Sequence, residues 1–296
     1  MFRSTRQPHD WEPHFEIASG EASMKRIRTG KLGKIEFRLF EKGAGYVGVA
    51  VGDGDIKAEV DGDTADDVWR RLHDEVSKAH PRYFGFDGAR KQFRRFFPEG
   101  LRSADYVDAE RKYKFDAKIR LDETVPLAQA VDGSGYGEAV LAVYRATNLL
   151  PSFEMMRVQD LLRGPMADTF IRAAARFTLG GGAEALLDMD RAMKGQVSAR
   201  WTAATYLPFL WQPEAHMFLK PEVTKDFADR VGHPFASVYE ARLDHAIYDS
   251  LLDLTAKTTT ELAELKPQDG IDVQSFIWVI GKYTAEDIQP RQATST

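Results

Sequence analysis

Hydrophobic and polar positions alternate with a period of two between Gly33 and Ala79, and this is the most legible part of the chain. Ile35, Phe37 and Leu39 alternate with Glu36, Arg38 and Phe40, as a half-buried strand requires. Lys42-Gly43-Ala44-Gly45 reads as a turn, YVGVAV (46–51) as a second strand, Gly52-Asp53-Gly54-Asp55 as another turn and IKAEV (56–60) as a third strand. Thr64-x-x-Asp67 then forms a capping box, and Ala65, Val68, Trp69, Leu72, Val76 and Ala79 share one face of the helix behind it. The pattern predicts a three-stranded antiparallel meander with a helix over one face.

From His80 onward the period becomes helical. Asp87 is placed to cap GARKQFRRFF, Ser103 a long charged helix to about Leu121, and Pro126 a short one. EAVLAVYRATNLL, SFEMMRVQDLL and DTFIRAAARFTL follow as helices closed by Pro or Gly, and Gly180-Gly181-Gly182 separates them from EALLDMDRAM. A Trp/Tyr/Phe-rich stretch from Trp201 to Trp211 is interrupted by Pro208. His216 to Lys220 reads as a short extended segment. Ser237-x-x-Glu240 is placed to cap the longest helix, with Leu243, Ile247, Leu251 and Leu254 on one stripe, and a last buried helix runs from about Asp272 to Ile280.

The fold class expected is therefore α+β: a small antiparallel β-meander with covering helices, followed by a mostly α-helical domain. Residues 1–33 read as a loosely ordered N-terminal arm with Trp11 and Phe15 as anchors. Residues 34–131 read as the meander plus basic helices, 138–283 as the all-helical domain and 284–296 as a flexible tail. The Gly-rich segment from Asp132 to Gly137 is the expected joint.

The composition narrows the function classes. The 296 residues hold 40 Lys+Arg against 45 Asp+Glu, a net charge of -5, so the molecule as a whole is no basic coat for nucleic acid. The absence of Cys excludes disulfides, thiolate zinc sites, Fe–S clusters and cysteine nucleophiles. The N-terminus lacks the apolar core of a secretory signal and no run is long and apolar enough for a membrane span, so a cytoplasmic protein with no membrane partner is expected.

Charge is unevenly spread. Residues 80–120 carry 11 basic and 6 acidic side chains, whereas 121–296 carry 16 and 24. Within the basic stretch, Arg90, Lys91, Arg94 and Arg95 interleave with Phe93, Phe96 and Phe97, and the next helix adds Arg111, Lys112, Lys114 and Lys118. Guanidinium groups at i and i+4 grip successive phosphates, and exposed aromatics stack on bases. An ordinary amphipathic helix with core Phe and solvated Arg produces the same pattern.

Other chemistry is thinner. Asp53, Asp55, Glu59, Asp61 and Asp63 form an acidic turn without the ligand order of a calcium loop. Asp55-Ile56-Lys57 after Glu36 or Glu41 matches the acid-x-Lys half of a metal-dependent nuclease, but Glu110/Lys112, Asp116/Lys118 and Glu264/Lys266 repeat the triplet elsewhere. Gly133-Ser134-Gly135-Tyr136-Gly137 has neither Rossmann nor P-loop context. The seven His form no ligand pair; His245 and Asp249 are an i, i+4 pair, and His216 lies among Trp211, Phe218 and Lys220, where burial would move its pKa. HMFLKPEVT and IDVQSFIWV resemble segments of uncharacterised bacterial proteins, some from restriction or defence settings; the resemblance covers only the last third and implies no functional residue.

The expectation is a non-catalytic nucleic-acid-binding protein using Arg90, Lys91, Arg94, Arg95, Arg111, Lys112 and Lys114, without metal or cofactor. Its acidic helical domain would meet a protein partner or a second copy. The alternatives are a protein-interaction or assembly subunit, and a metal-dependent nuclease or hydrolase.

Overall fold

The computed structural model describes residues 24–32, 35–78, 82–197 and 200–287. Its first element is a four-stranded antiparallel sheet in sequence order: β1 (Met24–Leu32), β2 (Ile35–Lys42), β3 (Gly45–Gly52) and β4 (Asp55–Gly62). The sheet thus has one strand more than the alternation predicts, and residues 24–32 are strand rather than loose arm. Their sequence, MKRIRTGKL, puts polar or charged side chains on both faces of the strand, so no apolar alternation marks it. Pairing with β2 supplies the order that the pattern does not show.

The register follows from two-residue connections. Lys42 pairs with Gly45 and Gly52 with Asp55. In the second connection Asp53 has φ 51° and Gly54 φ 86°, the pair of positive values that a type I′ hairpin demands. The sequence Asp-Gly meets that demand at low cost.

Helix α1 (Ala65–Ser77) packs on one face of the sheet. The Thr64 side chain caps it by accepting from the Asp67 N–H at 3.4 Å. Phe37, Leu39, Ala50 and Val60 from the strands meet Val68, Trp69, Leu72 and Val76 from the helix in a closed apolar cluster. Gly48 and Gly62 leave room for Val68 and Leu72 to press against the backbone.

A second, larger cluster begins at Ala89 and runs to Ile280. It draws on α2 (Gly85–Phe96), α3 (Lys112–Thr124), α4 (Gly137–Arg145), α5 (Ser152–Arg163), α6 (Ala167–Thr178), α7 (Gly182–Met193), α8 (Arg200–Trp211), α9 (Pro221–Val231), α10 (His245–Glu261) and α11 (Gly270–Lys282). The basic helices α2 and α3 pack with these C-terminal helices: Phe93 lies 5.1 Å from Phe276, ring centre to ring centre. No helix among the described residues is long and apolar enough to cross a membrane.

Three local expectations are corrected. Helix α2 starts two residues before Asp87, which lies in the first turn and caps nothing. Helix α10 starts at His245 and is capped by Asp244, which accepts from the Ala246 N–H at 2.9 Å; the Ser237 hydroxyl instead donates to the Pro234 carbonyl. Pro208 does not interrupt α8, because every residue from Trp201 to Trp211 is buried. Packing on all sides outweighs the ~3 kcal/mol an interior proline costs an isolated helix.

The two clusters meet at a polar joint. Asp253 on α10 accepts from His233 Nε2 at 3.0 Å and lies 3.8 Å from Arg70 on α1. Gly232 ends α9 with φ 77°, and a Cβ there would stand 2.7 Å from the Asp74 carboxylate, so the position needs glycine on both counts.

Candidate functional site

Helix α2 carries the basic-aromatic pattern expected of a phosphate-binding surface, and half of its four cations are engaged within the fold. Arg90 donates to the Glu261 carbonyl at 2.6 Å, pairs with the Glu261 carboxylate at 3.4 Å and Glu264 at 3.5 Å, and also binds Asp87. Arg94 pairs with Glu264 at 3.4 Å. Lys91 and Arg95 are exposed and form no ion pair among the described residues. The aromatic half of the pattern points inward: Phe93 and Phe97 belong to the core, and Phe84, Phe86 and Phe96 pack against it. The helix therefore keeps two open cations and no free aromatic face.

Arg111 and Lys114 lie in the interior. A π-helical turn over Val107–Arg111 leads into α3, and it turns both Glu110 and Arg111 inward although they are sequence neighbours. Arg111 holds Asp269 through two bonds of 2.8 and 2.7 Å and Asp272 at 2.8 Å, and Tyr106 donates to Asp272 at 2.7 Å. Lys114 donates to Glu110 at 2.9 Å and to the Ser275 hydroxyl at 2.7 Å; Tyr283 donates to the other oxygen of Glu110. Burial works against the Arg111 charge, but Asp269 and Asp272 outweigh it and hold its pKa above the usual range. Burial pushes the Lys114 ammonium below the usual lysine range, with Glu110 opposing. This network clasps α3 to α11 and offers nothing to an outside ligand. Lys112 is exposed and bonded to Asp116 at 2.7 Å.

A denser set of open cations lies on β1. Lys25, Arg26, Arg28 and Lys31 are its cations, and it has no acid. Arg28 faces α1, over the Trp69 ring at 5.4 Å and paired with Asp66 at 3.1 Å. Lys25, Arg26 and Lys31 are exposed and form no ion pair among the described residues, nor does Lys42, which sits across the ladder from Met24.

Register assigns the two sheet faces. Phe37, Leu39 and Ala50 point toward α1, so Arg38, Phe40, Val47 and Val49 point the other way. None of these four outward residues belongs to either buried cluster or packs against one. Arg26 stands opposite Phe40, Phe40 opposite Val47 and Val47 opposite Asp61. A row across this face thus runs from cation through apolar side chains to acid. Arg38 is held by Glu36 through bonds of 3.1 and 3.2 Å, which fixes its guanidinium on the same face.

The remaining candidates resolve into structure. His216 Nε2 donates to the Thr178 carbonyl at 3.0 Å, so Nδ1 accepts from the Tyr248 hydroxyl at 2.9 Å, whose oxygen accepts from the Met217 N–H. Burial lowers its pKa, and the closed set of bonds makes it a packing residue. Among the described residues no three His, Asp or Glu side chains are placed to hold a metal, and the 53–63 acids spread along β4 instead of converging. Asp55 pairs with Lys57 at 3.6 Å. The cavity between Lys114, Lys220, Gln274 and Trp278 is about 10 Å³, too small for a substrate. A shallow groove of about 530 Å³ beside Ile119 and Arg120 carries no convergent catalytic groups.

These features define an α+β protein with a helical body and a charge-graded sheet face that no helix among the described residues packs on, although Val47 on that face is itself buried. No protein family, curated protein or solved structure matches the chain.

Proposed function

We propose that the protein binds nucleic acid without acting on it, and that the binding surface is the basic edge of the sheet. The observation that supports this reading is the charge of β1: four cations and no acid, three of them exposed and without an ion pair among the described residues. Lys42 extends the patch, and the acidic balance of residues 121–296 directs a polyanion toward it rather than onto the helices. Lys91 and Arg95 on α2 are the expected residues that remain available; Arg111 and Lys114 act inside the fold. Phosphate binding at about four cations gives a log–log salt slope of about -3 for a single strand. Anisotropy of a labelled oligonucleotide titrated from low to physiological salt measures it. A flat salt response, or no binding at low salt, ends the reading.

A second reading, protein association through the helical body, draws on α5. Phe153 and Met156 stand one turn apart, 62% and 57% exposed, the most open large apolar side chains among the described residues. Light scattering after size exclusion would detect a second copy, and the pair Phe153→Asp/Met156→Asp would abolish it.

A further inference from the structure

Resting on that reading, we propose that the ligand is single-stranded, laid on the sheet face away from α1 with its phosphates along β1 and its bases over Phe40. The face is graded in the direction this needs. Arg26 and Lys31 on β1 point outward, because their partners Phe40 and Glu36 do. Glu36 is the one acid on β2 facing this way, and Arg38 holds it with Arg26 and Lys31 nearby, so the cations outnumber it there. Next inward come the half-buried Phe40 and Val49 and the buried Val47, all outside both core clusters, so Phe40 is the ring a base can reach. Beyond them stand Asp61 and Glu59 on β4, which repel phosphate. A backbone anion therefore lies over β1 only, and whatever it carries extends over Phe40.

Only a strand whose bases are unpaired matches this arrangement. A duplex turns its phosphates outward and its base faces inward, so it would meet the cations and leave Phe40 unused, and its second strand would approach the acids of β4. A polyanion without bases uses the cations alone. A single strand uses both, since every base has a face to stack on an aromatic ring. Phe40 is the aromatic of the outward row, and it lies directly across the ladder from Arg26.

The test uses the full chain, a labelled 15-nucleotide oligo(dT), the matching oligo(rU), a 15-base-pair duplex and inorganic polyphosphate at low salt. One of the single strands binds at least tenfold tighter than the duplex. Phe40→Ala weakens single-strand binding by about five- to a hundredfold, the range for loss of one stacked base, and leaves duplex binding unchanged. Phe40→Trp keeps the affinity and adds emission that the single strand quenches and polyphosphate does not. This second variant decides the matter if thermal melting shows that Phe40→Ala fails to fold. Duplex binding as tight as single-strand binding, or Phe40→Trp emission unmoved at saturation, overturns the single-strand inference while nucleic-acid binding stands. Polyphosphate bound as tightly as either oligonucleotide overturns it too. Absence of binding to every probe removes both.

Discussion

Strand β1 and helix α2 each carry four cations, and the fold treats them in opposite ways. Helix α2 lies against the end of α10, where Glu261 and Glu264 wait for Arg90 and Arg94. Its phenylalanines close the core, so the basic-aromatic pattern describes a packed amphipathic helix with two of its four cations neutralised. Strand β1 lies beside a strand whose charges balance; among the described residues only Arg28 forms an ion pair, with Asp66, while Arg26 and Lys31 act on Glu36 from a distance. A run of cations in a sequence reports charge; the supply of acids in space decides how much of it is free. The same contrast separates interior from edge. Arg111 and Lys114 are cations like Arg26 and Lys31, but they lie inside and hold two helices together through Asp269, Asp272 and Ser275.

The largest effect expected from this contrast is on stability. Removing one partner of a buried pair leaves the other charge uncompensated, so Lys114→Ala or Arg111→Ala should cost about 3–5 kcal/mol. Urea unfolding measures it, and a loss below 1 kcal/mol would mean that the clasp contributes little. Reversal at the edge should do the opposite. Arg26→Glu/Lys31→Glu/Lys42→Glu should leave stability within about 0.5 kcal/mol, as exposed sites do. Its nucleic-acid affinity should drop by roughly a hundredfold or more at low salt.

Next comes acidity. His73 is buried against Phe37, ring centres 3.8 Å apart and nearly parallel, and burial first, with His233 and Arg28 adding, pushes its pKa down to about 3. His233 is lowered by burial, partly offset by Asp253. Both pKa values lie below their unfolded value of 6.5, so both rings fold neutral. Above pH 6.5 neither state binds the proton and nothing is lost. As pH falls below it the unfolded chain takes up protons that the fold refuses, and stability declines. For His73 the decline amounts to about 2 kcal/mol at pH 5. Melting of the wild type and His73→Phe at pH 7 and pH 5 checks it; equal acid sensitivity in the two would refute the assignment. The smallest effect should be that of Lys91→Gln/Arg95→Gln on α2, about threefold or less in affinity by the same anisotropy assay.

The legible parts of the fold were those where local chemistry and packing agree. Phe37, Leu39 and Ala50 alternate because one face of the sheet is buried, and Asp53-Gly54 marks a hairpin because its backbone needs positive φ. Thr64 and Ser103 cap the helices expected of them. Strand β1 was hidden because it contributes almost nothing to the core, so hydrophobic period could not reveal it. Its one signal is the two-residue gap between Leu32 and Ile35 that its pairing spans. The candidate surface was hidden for the same reason. The inward turn of Arg111 and Lys114 was illegible too, since it depends on a π-helical turn and on distant partners, Asp269 and Asp272 for Arg111 at separations of 158 and 161 and Ser275 for Lys114 at 161.

One comparison tests the central claim, that free charge on β1 and not the denser pattern on α2 binds nucleic acid. It measures oligo(dT) affinity for the wild type, for Arg26→Glu/Lys31→Glu/Lys42→Glu and for Lys91→Glu/Arg94→Glu/Arg95→Glu, each checked for folding. The account predicts that the strand variant loses binding while the helix variant stays within about tenfold of wild type. Loss in the helix variant with binding retained in the strand variant would contradict it and return the interface to α2.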